Sequence, residues 1–153
     1  MELISEAIND LSDISRSMSS EIVLNNGLIK ALEFETAQLQ KSGLYKIELS
    51  VTGEIIFLDA NKELVLFRIV QEALNNIVKH AHANRIRIGL HFNNDSLGLY
   101  IADNGKGFSC DEGSEQGIGL INMKKRASIL NGICTINSQP DIGTNINIKI
   151  PFA

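Results

Sequence analysis

Apolar and polar positions repeat along this chain with two different periods, one typical of strands and one typical of helices. Strict alternation predicts strands that each expose one polar face, in residues 45–51, 85–92, 96–103 and 146–150. Residues 133–137 predict a further strand, and a turn at Thr52-Gly53-Glu54 leads to residues 55–58, a short strand expected to pair with the first. Strands with one polar face predict a sheet that is covered on its other face.

Helical spacing of apolar residues supplies that cover. The longest stripe occupies residues 62–82, and Asp59 before it is suited to cap a helix. Shorter stripes occupy residues 28–43 and 120–130, and each ends at a glycine-containing stop. Together the patterns predict an α+β fold, a two-layer sandwich in which helices cover one face of a mixed sheet.

The first segment carries a narrower apolar seam on an otherwise polar helix. Its apolar residues are three and four positions apart: Ile4, Ala7, Leu11, Ile14 and Met18. A short polar helix is marginal in water on its own. We therefore expect it to pack against another helix, from this chain or a second copy, or to dock on its own domain as a satellite.

Composition bounds the class of protein. A chain of 153 residues with 44% hydrophobic content suits one compact domain plus an appended element. The net charge of −4 makes nucleic acid an unexpected partner, and no apolar run approaches the ~20 residues of a membrane helix. A soluble, cytoplasmic domain is expected, with Cys110 and Cys134 as reduced thiols and no zinc site.

A glycine-containing stretch follows the strand at 96–103. It reads Asp103-Asn104-Gly105-Lys106-Gly107-Phe108, and a polar segment separates it from Gly117-Ile118-Gly119-Leu120, which opens a helix. Glycines allow sharp turns and close approach of a ligand, and the free N–H groups at a helix start suit a phosphate. The arrangement indicates a nucleotide site, although glycine pairs also occur in ordinary turns.

The longest helix presents three different polar groups on one face. Glu72, Asn76 and Lys79 follow one another at helical spacing, so an acid, an amide and an amine share one side. The alternative interpretation is a solvated face with a salt bridge between Lys79 and Glu72 or Asn75.

These groups are chemically sufficient for phosphoryl transfer from an adenine nucleotide. An ionised Asp103 only accepts hydrogen bonds, so it selects the exocyclic amine of adenine over the oxygen of guanine. The amide of Asn76 with phosphate oxygens is a workable Mg²⁺ shell, and Lys79 places a charge near the phosphates. Glu72 is placed to deprotonate or orient an attacking group.

The order of these motifs resembles the ATP-binding domain of bacterial sensor histidine kinases. Residues 71–81 look like its N box, residues 103–108 like its G1 box, and residues 117–120 with Met123, Arg126 and Ala127 like its G2 box. The resemblance covers about residues 44–152. It is strongest to the subfamily of the nitrate sensor and the desaturase thermosensor.

This resemblance implies the Bergerat ATP-binding fold of gyrase, Hsp90, histidine kinases and MutL. It implies that Asn76 binds Mg²⁺, that Glu72 is the catalytic base or orients the acceptor, and that Lys79 contacts phosphates. The remaining implied nucleotide-binding residues are His80 beside the nucleotide, Asp103 at the adenine amine, Gly105 and Gly107 along the base, Gly117, Ile118, Gly119 and Leu120 in the lid hinge, and Thr144 in support of Asp103.

The resemblance also implies two domains and a longer kinase. Residues 1–42 look like the second helix of the dimerisation domain and its junction, and residues 43–153 like the catalytic domain. A phosphoacceptor histidine motif is absent, so autophosphorylation is not expected without a supplied helix. The implied partners are ATP, the missing dimerisation helix, a response regulator and, at full length, a second copy.

Two other classes of function stay open on the sequence. One is an anti-sigma serine kinase of the same fold, against which the helical residues 1–42 argue. The other is a non-enzymatic module that binds ATP, or nothing, and acts by docking. The segment from 108 to 116 is expected to be mobile without nucleotide.

Overall fold

The computed structural model describes residues 20–109 and 117–152 and contains one five-stranded sheet. Its strands are β1 (Lys46–Gly53), β2 (Arg85–Phe92), β3 (Ser96–Asp103), β4 (Ile133–Gln139) and β5 (Gly143–Pro151). They lie in the order β1-β2-β3-β5-β4. The β1–β2 pair is parallel and the other pairs are antiparallel, so the sheet is mixed, as predicted.

The helices pack on one face of this sheet. They are α1 (residues 20–26), α2 (Leu28–Gln40), α3 (Ala60–Asn76), a π-helical turn (Ile77–Ala81) and α4 (Ile118–Ile129). Gly27, with φ of 89°, separates α1 from α2, because few other residues adopt that conformation without strain. The Asp59 side chain accepts the Asn61 N–H at 3.3 Å and caps α3, as predicted.

One hydrophobic core lies between the two layers. The alternating residues of the strands point their apolar side chains at the helices, and the apolar stripe of α3 covers the centre of the sheet. Phe67 and Ile69 of α3 and Ile88 of β2 are fully buried. Leu32 of α2 belongs to the same core, so this helix packs on the sandwich and contributes to its burial. The predicted two-layer architecture is confirmed.

Two predicted elements differ from the structure. Residues 55–58 do not form a strand: in the described residues β1 is an edge strand paired with β2, and the chain crosses to the helical layer between Gly53 and Ala60. The predicted helix 62–82 is α-helical only to Asn76, continues as the π turn and ends at His82, whose φ is 52°. The predicted seam at residues 4–18 lies outside the described residues.

Within residues 20–109 and 117–152, every helix is too short or too polar to span a bilayer.

Candidate functional site

Four residues in one row across the sheet define one end of the sandwich. The register pairs Ile86 of β2 with Asp103 of β3, Asp103 with Thr144 of β5, and Thr144 with Ser138 of β4. All four share the face that the helices cover, where directly opposed side chains lie about 5 Å apart. The apolar rows of the sheet therefore end in three adjacent polar side chains, which is unusual for a core-facing surface.

Asp103 is the central acid of this row. Its Oδ1 accepts the N–H of Gly105 at 2.8 Å, which closes a tight turn directly after β3. Burial raises the pKa of the Asp103 carboxyl above its usual value, while backbone N–H groups of Gly105 and Thr144 lower it in part. The side chain is half-buried, so part of it stays accessible to a ligand.

Asn104 and Gly105 join this turn to neighbouring elements. Asn104 Oδ1 accepts the N–H groups of Asn84 and Arg85 at 3.0 and 2.9 Å, which ties the end of β3 to the start of β2. A Cβ at Gly105 would lie 2.3 Å from the carbonyl oxygen of Ala81, the last residue of the π turn. Protein packing alone therefore requires glycine at 105, apart from any contact with a base.

The rest of the turn lies on the β4–β5 hairpin. Gly107 has φ of 60°, and a Cβ there would lie 2.0 Å from the carbonyl oxygen of Gln139. The carbonyl of Lys106 accepts the Asp141 N–H at 2.6 Å, and Ser138 Oγ accepts the Phe108 N–H at 2.9 Å. One backbone hydrogen bond, one hydrogen bond to the Ser138 hydroxyl and the close packing of Gly107 thus hold the G1 box against this hairpin.

The polar face of α3 meets the start of α4. A Cβ at Gly119 would lie 2.4 Å from Glu72 Oε1, 3.1 Å from Asn76 Nδ2 and 3.3 Å from Asn76 Oδ1. The predicted carboxylate and amide are therefore neighbours, and they lie directly against the second glycine of the G2 box. Among the residues that the structure describes, no salt bridge joins Lys79 to Glu72.

The remaining predicted site residues surround this contact. Lys79 and His80 are exposed on the π turn, a feature that is frequent at functional sites. Gly117 is the residue before α4, and no side chain of residues 20–109 or 117–152 caps the first N–H groups of this helix, which are of the kind that binds a phosphate. Ile118 is 79% exposed, whereas Leu120 packs on the core and has a structural role in this conformation.

One residue of the site was not predicted from the sequence. Ser138 is 8% exposed, and its hydroxyl contacts the backbone of the G1 box and the hydroxyl of Thr144. A signal for it exists, since Ser138 occupies the inward parity of β4, which Cys134 and Ile136 otherwise fill. A polar residue on the apolar parity of a strand marks a buried hydrogen-bonding position.

A mixed sheet covered on one face, with these three boxes at one end, is the Bergerat ATP-binding fold. The sequence profile of the family described as Histidine kinase-, DNA gyrase B-, and HSP90-like ATPase matches residues 61–153. The chain belongs to this family and is an ATP-binding domain.

Named relatives narrow the class further. The chain is 41% identical over 109 residues to the sensor protein VraS of Staphylococcus epidermidis, covering 70% of this chain and 31% of that protein. It is 42% identical over 87 residues to the sensor histidine kinase LiaS of Bacillus subtilis, covering 57% of this chain and 24% of that protein. The chain thus spans about a quarter to a third of these relatives.

Solved structures agree on the fold. The histidine kinase AdeS of Acinetobacter baumannii superposes with a TM-score of 0.69 at 16% identity, over 99% of this chain and 83% of that one. The blue-light activated histidine kinase EL346 of Erythrobacter litoralis gives 0.67 at 19% identity, over 94% of this chain and 50% of that one. The predicted family and fold are confirmed, and the subfamily stays a prediction.

Proposed function

We propose that this chain is the catalytic domain of a two-component sensor histidine kinase and transfers the γ-phosphoryl group of ATP to a histidine outside residues 1–153. The main support for the proposal is that the N box contacts both the G1 box and the G2 box at one end of the sandwich. Gly119 contacts Glu72 and Asn76, and Gly105 contacts the turn that bears Lys79. The names of the relatives LiaS and VraS support the same activity.

Asp103 is proposed to select adenine. Its carboxylate accepts hydrogen bonds only, so it pairs with the exocyclic amine of adenine and is repelled by the guanine oxygen. The Gly105 N–H donates to Oδ1 and holds the carboxylate in place, and the two carboxylate oxygens together keep further lone pairs for the ligand. Half-burial strengthens such a bond, because less water competes for the carboxylate.

Asn76 is proposed to bind Mg²⁺ together with the phosphates of ATP. The fit rests on the donor set, because an amide oxygen of Asn76 and the Glu72 carboxylate lie together at the start of α4. Mg²⁺ prefers oxygen ligands and retains several waters, so few protein ligands suffice. When bound, the ion neutralises phosphate charge. The exposed Lys79 and the N–H groups at the start of α4 supply further positive potential.

Glu72 is proposed as the base or the orienting group for the acceptor imidazole. It is half-buried on α3, and its Oε1 lies at the position where the G2 glycine leaves room for it. A carboxylate in this position accepts a proton or a hydrogen bond from the ring nitrogen that does not attack phosphorus. Glu72 would thereby fix the orientation of the attacking ring.

We infer that the acceptor is supplied by another helix, since the three histidines of this chain are poor candidates. His80 lies in the π turn, where the family resemblance implies a place beside the nucleotide, and His82 directly after the turn has a left-handed backbone. His91 shares a 2.6 Å hydrogen bond with Thr52 on the open face of the sheet. Residues 1–42 are proposed to derive from the dimerisation domain, with a second copy and a response regulator as partners.

Calorimetric titration with a non-hydrolysable ATP analogue tests the nucleotide site. We expect micromolar-range affinity that depends on Mg²⁺. Asp103→Asn should weaken binding about 10- to 100-fold, since a hydrogen bond to a charged group contributes about 1.5–3 kcal/mol. Asn76→Ala should remove the Mg²⁺ dependence. A folded chain that binds no analogue would exclude this function and favour the docking module.

Transfer of labelled phosphate to a purified dimerisation domain of a related sensor kinase tests the chemistry. We expect phosphate on histidine, stable to base and labile to acid, and its loss in Glu72→Gln with analogue binding retained. Phosphate on serine would instead support the anti-sigma type of kinase. The chain incubated alone with ATP should remain unlabelled.

A further inference from the structure

We propose that Gly27 is a hinge between α1 and α2, and that three side chains of α3 form a clasp that holds these two helices in a bent arrangement. The clasp consists of Glu63, Arg68 and Gln71. When the clasp opens, α1 and α2 can join into one straight helix, which redirects the chain that precedes α1. The hinge concerns the conformation of the chain and goes beyond the proposed function, because it rests on no contact with a nucleotide.

The backbone of Gly27 is suited to a hinge. Its φ of 89° and ψ of 170° lie in a region that is essentially restricted to glycine. Helical hydrogen bonds continue on both sides, because the Gly27 N–H donates to the Val23 carbonyl at 2.9 Å and the Gly27 carbonyl accepts the Ala31 N–H at 3.2 Å. Helical dihedrals at this one residue would therefore join α1 to α2.

Glu63 takes the hydrogen bond that a straight helix would make at this point. The N–H of Leu28 donates to Glu63 Oε2 at 3.3 Å, whereas in a continuous helix it would donate to the Leu24 carbonyl. Burial raises the pKa of the Glu63 carboxyl, and the backbone N–H groups of Leu28 and Leu58 lower it in part. This side chain thus joins the first turn of α2 to the first turn of α3.

Arg68 and Gln71 link α1 to α2 over a distance that a straight helix would exceed. Arg68 donates to the Ser20 hydroxyl of α1 and to Gln71 Oε1. The Gln71 amide in turn donates to Glu35 Oε1 of α2 at 3.1 Å. Residues 20 and 35 would lie about 22 Å apart along a straight helix, which is further than the linked ends of two side chains reach. This link therefore forms only in the bent arrangement.

The hydrophobic core favours the bent arrangement as well. Val23 of α1 is 1% exposed, and it shares one core with Leu28 and Leu32 of α2. Withdrawal of Val23 from this core exposes apolar surface to water, which costs free energy. The bent arrangement is therefore the more stable one, and the straight helix is the minor state.

The position of the clasp connects the hinge to the N box. Gln71 is the first residue of that box and directly precedes Glu72. The chain before residue 20 enters the domain through α1, and straightening at Gly27 breaks the link from Ser20 to Glu35 that passes through Gln71. A change in the direction of α1 is thereby accompanied by a loss of hydrogen bonds in the N box.

Dipolar electron paramagnetic resonance between two nitroxide labels tests the proposal. The labels are attached through Glu21→Cys and Gln38→Cys, at two exposed positions, in a chain that also carries Cys110→Ser and Cys134→Ala. In a straight helix the two labelled residues would lie about 26 Å apart, and in the bent arrangement they lie closer. We expect the shorter distance in this chain. A distance typical of the straight helix would overturn the bent arrangement itself.

Gly27→Ala and Gln71→Met then perturb the hinge and the clasp separately. A Cβ at Gly27 would lie 3.7 Å from Glu63 Oε2, so alanine strains the bent backbone without a clash and is favoured in a straight helix. We expect a roughly tenfold larger fraction of long distances. Gln71→Met keeps the volume and removes the link, so the fraction should rise roughly fivefold.

Gly43→Ala is the matched control for the hinge. Its φ of 77° is also positive, and a Cβ there meets no atom of the described residues within 4 Å. It should strain the backbone outside the labelled segment and leave the distances unchanged. A shift equal to that of Gly27→Ala would refute a hinge at Gly27.

The outcomes separate the hinge from the clasp. Folded chains of Gly27→Ala and Gln71→Met that both keep the short distance would overturn the whole proposal. A shift in Gly27→Ala alone would overturn the clasp, and a shift in Gln71→Met alone would overturn the hinge. If circular dichroism shows that Gly27→Ala does not fold, Gln71→Met decides the test. Because no nucleotide is added, a failure here leaves the proposed function untouched.

Discussion

Gly119→Ala is expected to leave the fold intact and to impair phosphoryl transfer. The new Cβ would lie 2.4 Å from Glu72 Oε1, so the carboxylate must move by about 1 Å to reach ordinary contact distance. The clashing atom is the end of a flexible side chain, and it can move without displacing backbone. Alanine is also up to about 1 kcal/mol better than glycine within a helix. The free energy of unfolding should therefore change by less than about 1 kcal/mol.

The cost should appear in the rate. A displacement of about 1 Å in a reacting group reduces a catalysed rate by about 100-fold. We expect a fall of that order in kcat for transfer to a supplied acceptor domain. KM for ATP should change less, because Asn76 contacts the new methyl group only at 3.1 to 3.3 Å.

Gly98→Ala, on the face of β3 that the helices do not cover, is the matched control, since a Cβ at that position lies 3.8 Å from the His91 carbonyl oxygen, an ordinary contact distance. Urea unfolding by circular dichroism and single-turnover labelling measure the two quantities on both variants. A Gly119→Ala chain with unchanged kcat would refute the placement of Glu72 at the reacting group. A large loss of stability would refute the claim that the clash is relieved by side-chain movement.

Three further changes test the site. Gly105→Ala forces a methyl group against the Ala81 carbonyl, so the free energy of unfolding in urea should fall by about 1–3 kcal/mol. The control Lys106→Ala, at the exposed neighbouring residue, should lower it by less than about 0.5 kcal/mol. Equal losses in the two variants would contradict the packing argument. Because burial raises the pKa of Asp103, its contribution to stability is full below the usual 3.8 and is lost as pH rises through the raised pKa. Asp103→Asn should therefore lessen the fall in unfolding free energy above about pH 4, and an identical pH profile would exclude this cost. Asn104→Ala removes the acceptor for two backbone N–H groups at the start of β2, so hydrogen exchange of those two amides should accelerate while the centre of β3 stays protected.

Much of the fold was predictable because its signals are local. The strand at 96–103 and the cap at Asp59 follow from alternation and from a side chain that meets its own helix start. The π turn was not predictable, because its apolar spacing continues that of α3 and its end depends on contact with the G1 box. Residues 55–58 have strand-like composition, but the pairing of β1 with β2 is a long-range choice that local pattern does not encode.

In the candidate site, too, local features could be predicted from the sequence and long-range contacts could not. Glu72 and Asn76 were predicted as neighbours because helical geometry fixes their spacing. Their contact with Gly119 depends on how α4 packs on α3, which no local pattern specifies. Gly105 was assigned to the base, whereas the structure also gives it a packing reason at Ala81. Ser138 was missed because the predicted strand ended at residue 137, and its contact with Thr144 depends on a strand register that the folded sheet defines.

The contact between the π turn and the G1 box is made by backbone atoms. The Ala81 carbonyl accepts the Lys106 N–H at 2.7 Å, and the Gly105 backbone lies on the same residue. Any residue with a backbone N–H, that is any except proline, can therefore replace Lys106, since no side chain takes part in this contact. The number of residues in the π turn cannot vary in the same way. One residue inserted or deleted there rotates the residues that follow about the helix axis, by about 100° in an α-helix, and moves the Ala81 carbonyl away from its donor. The contact between the π turn and the G1 box should tolerate substitution at 106 and should be lost when the number of residues in the π turn changes. This is a useful rule for grafting the site onto another sandwich.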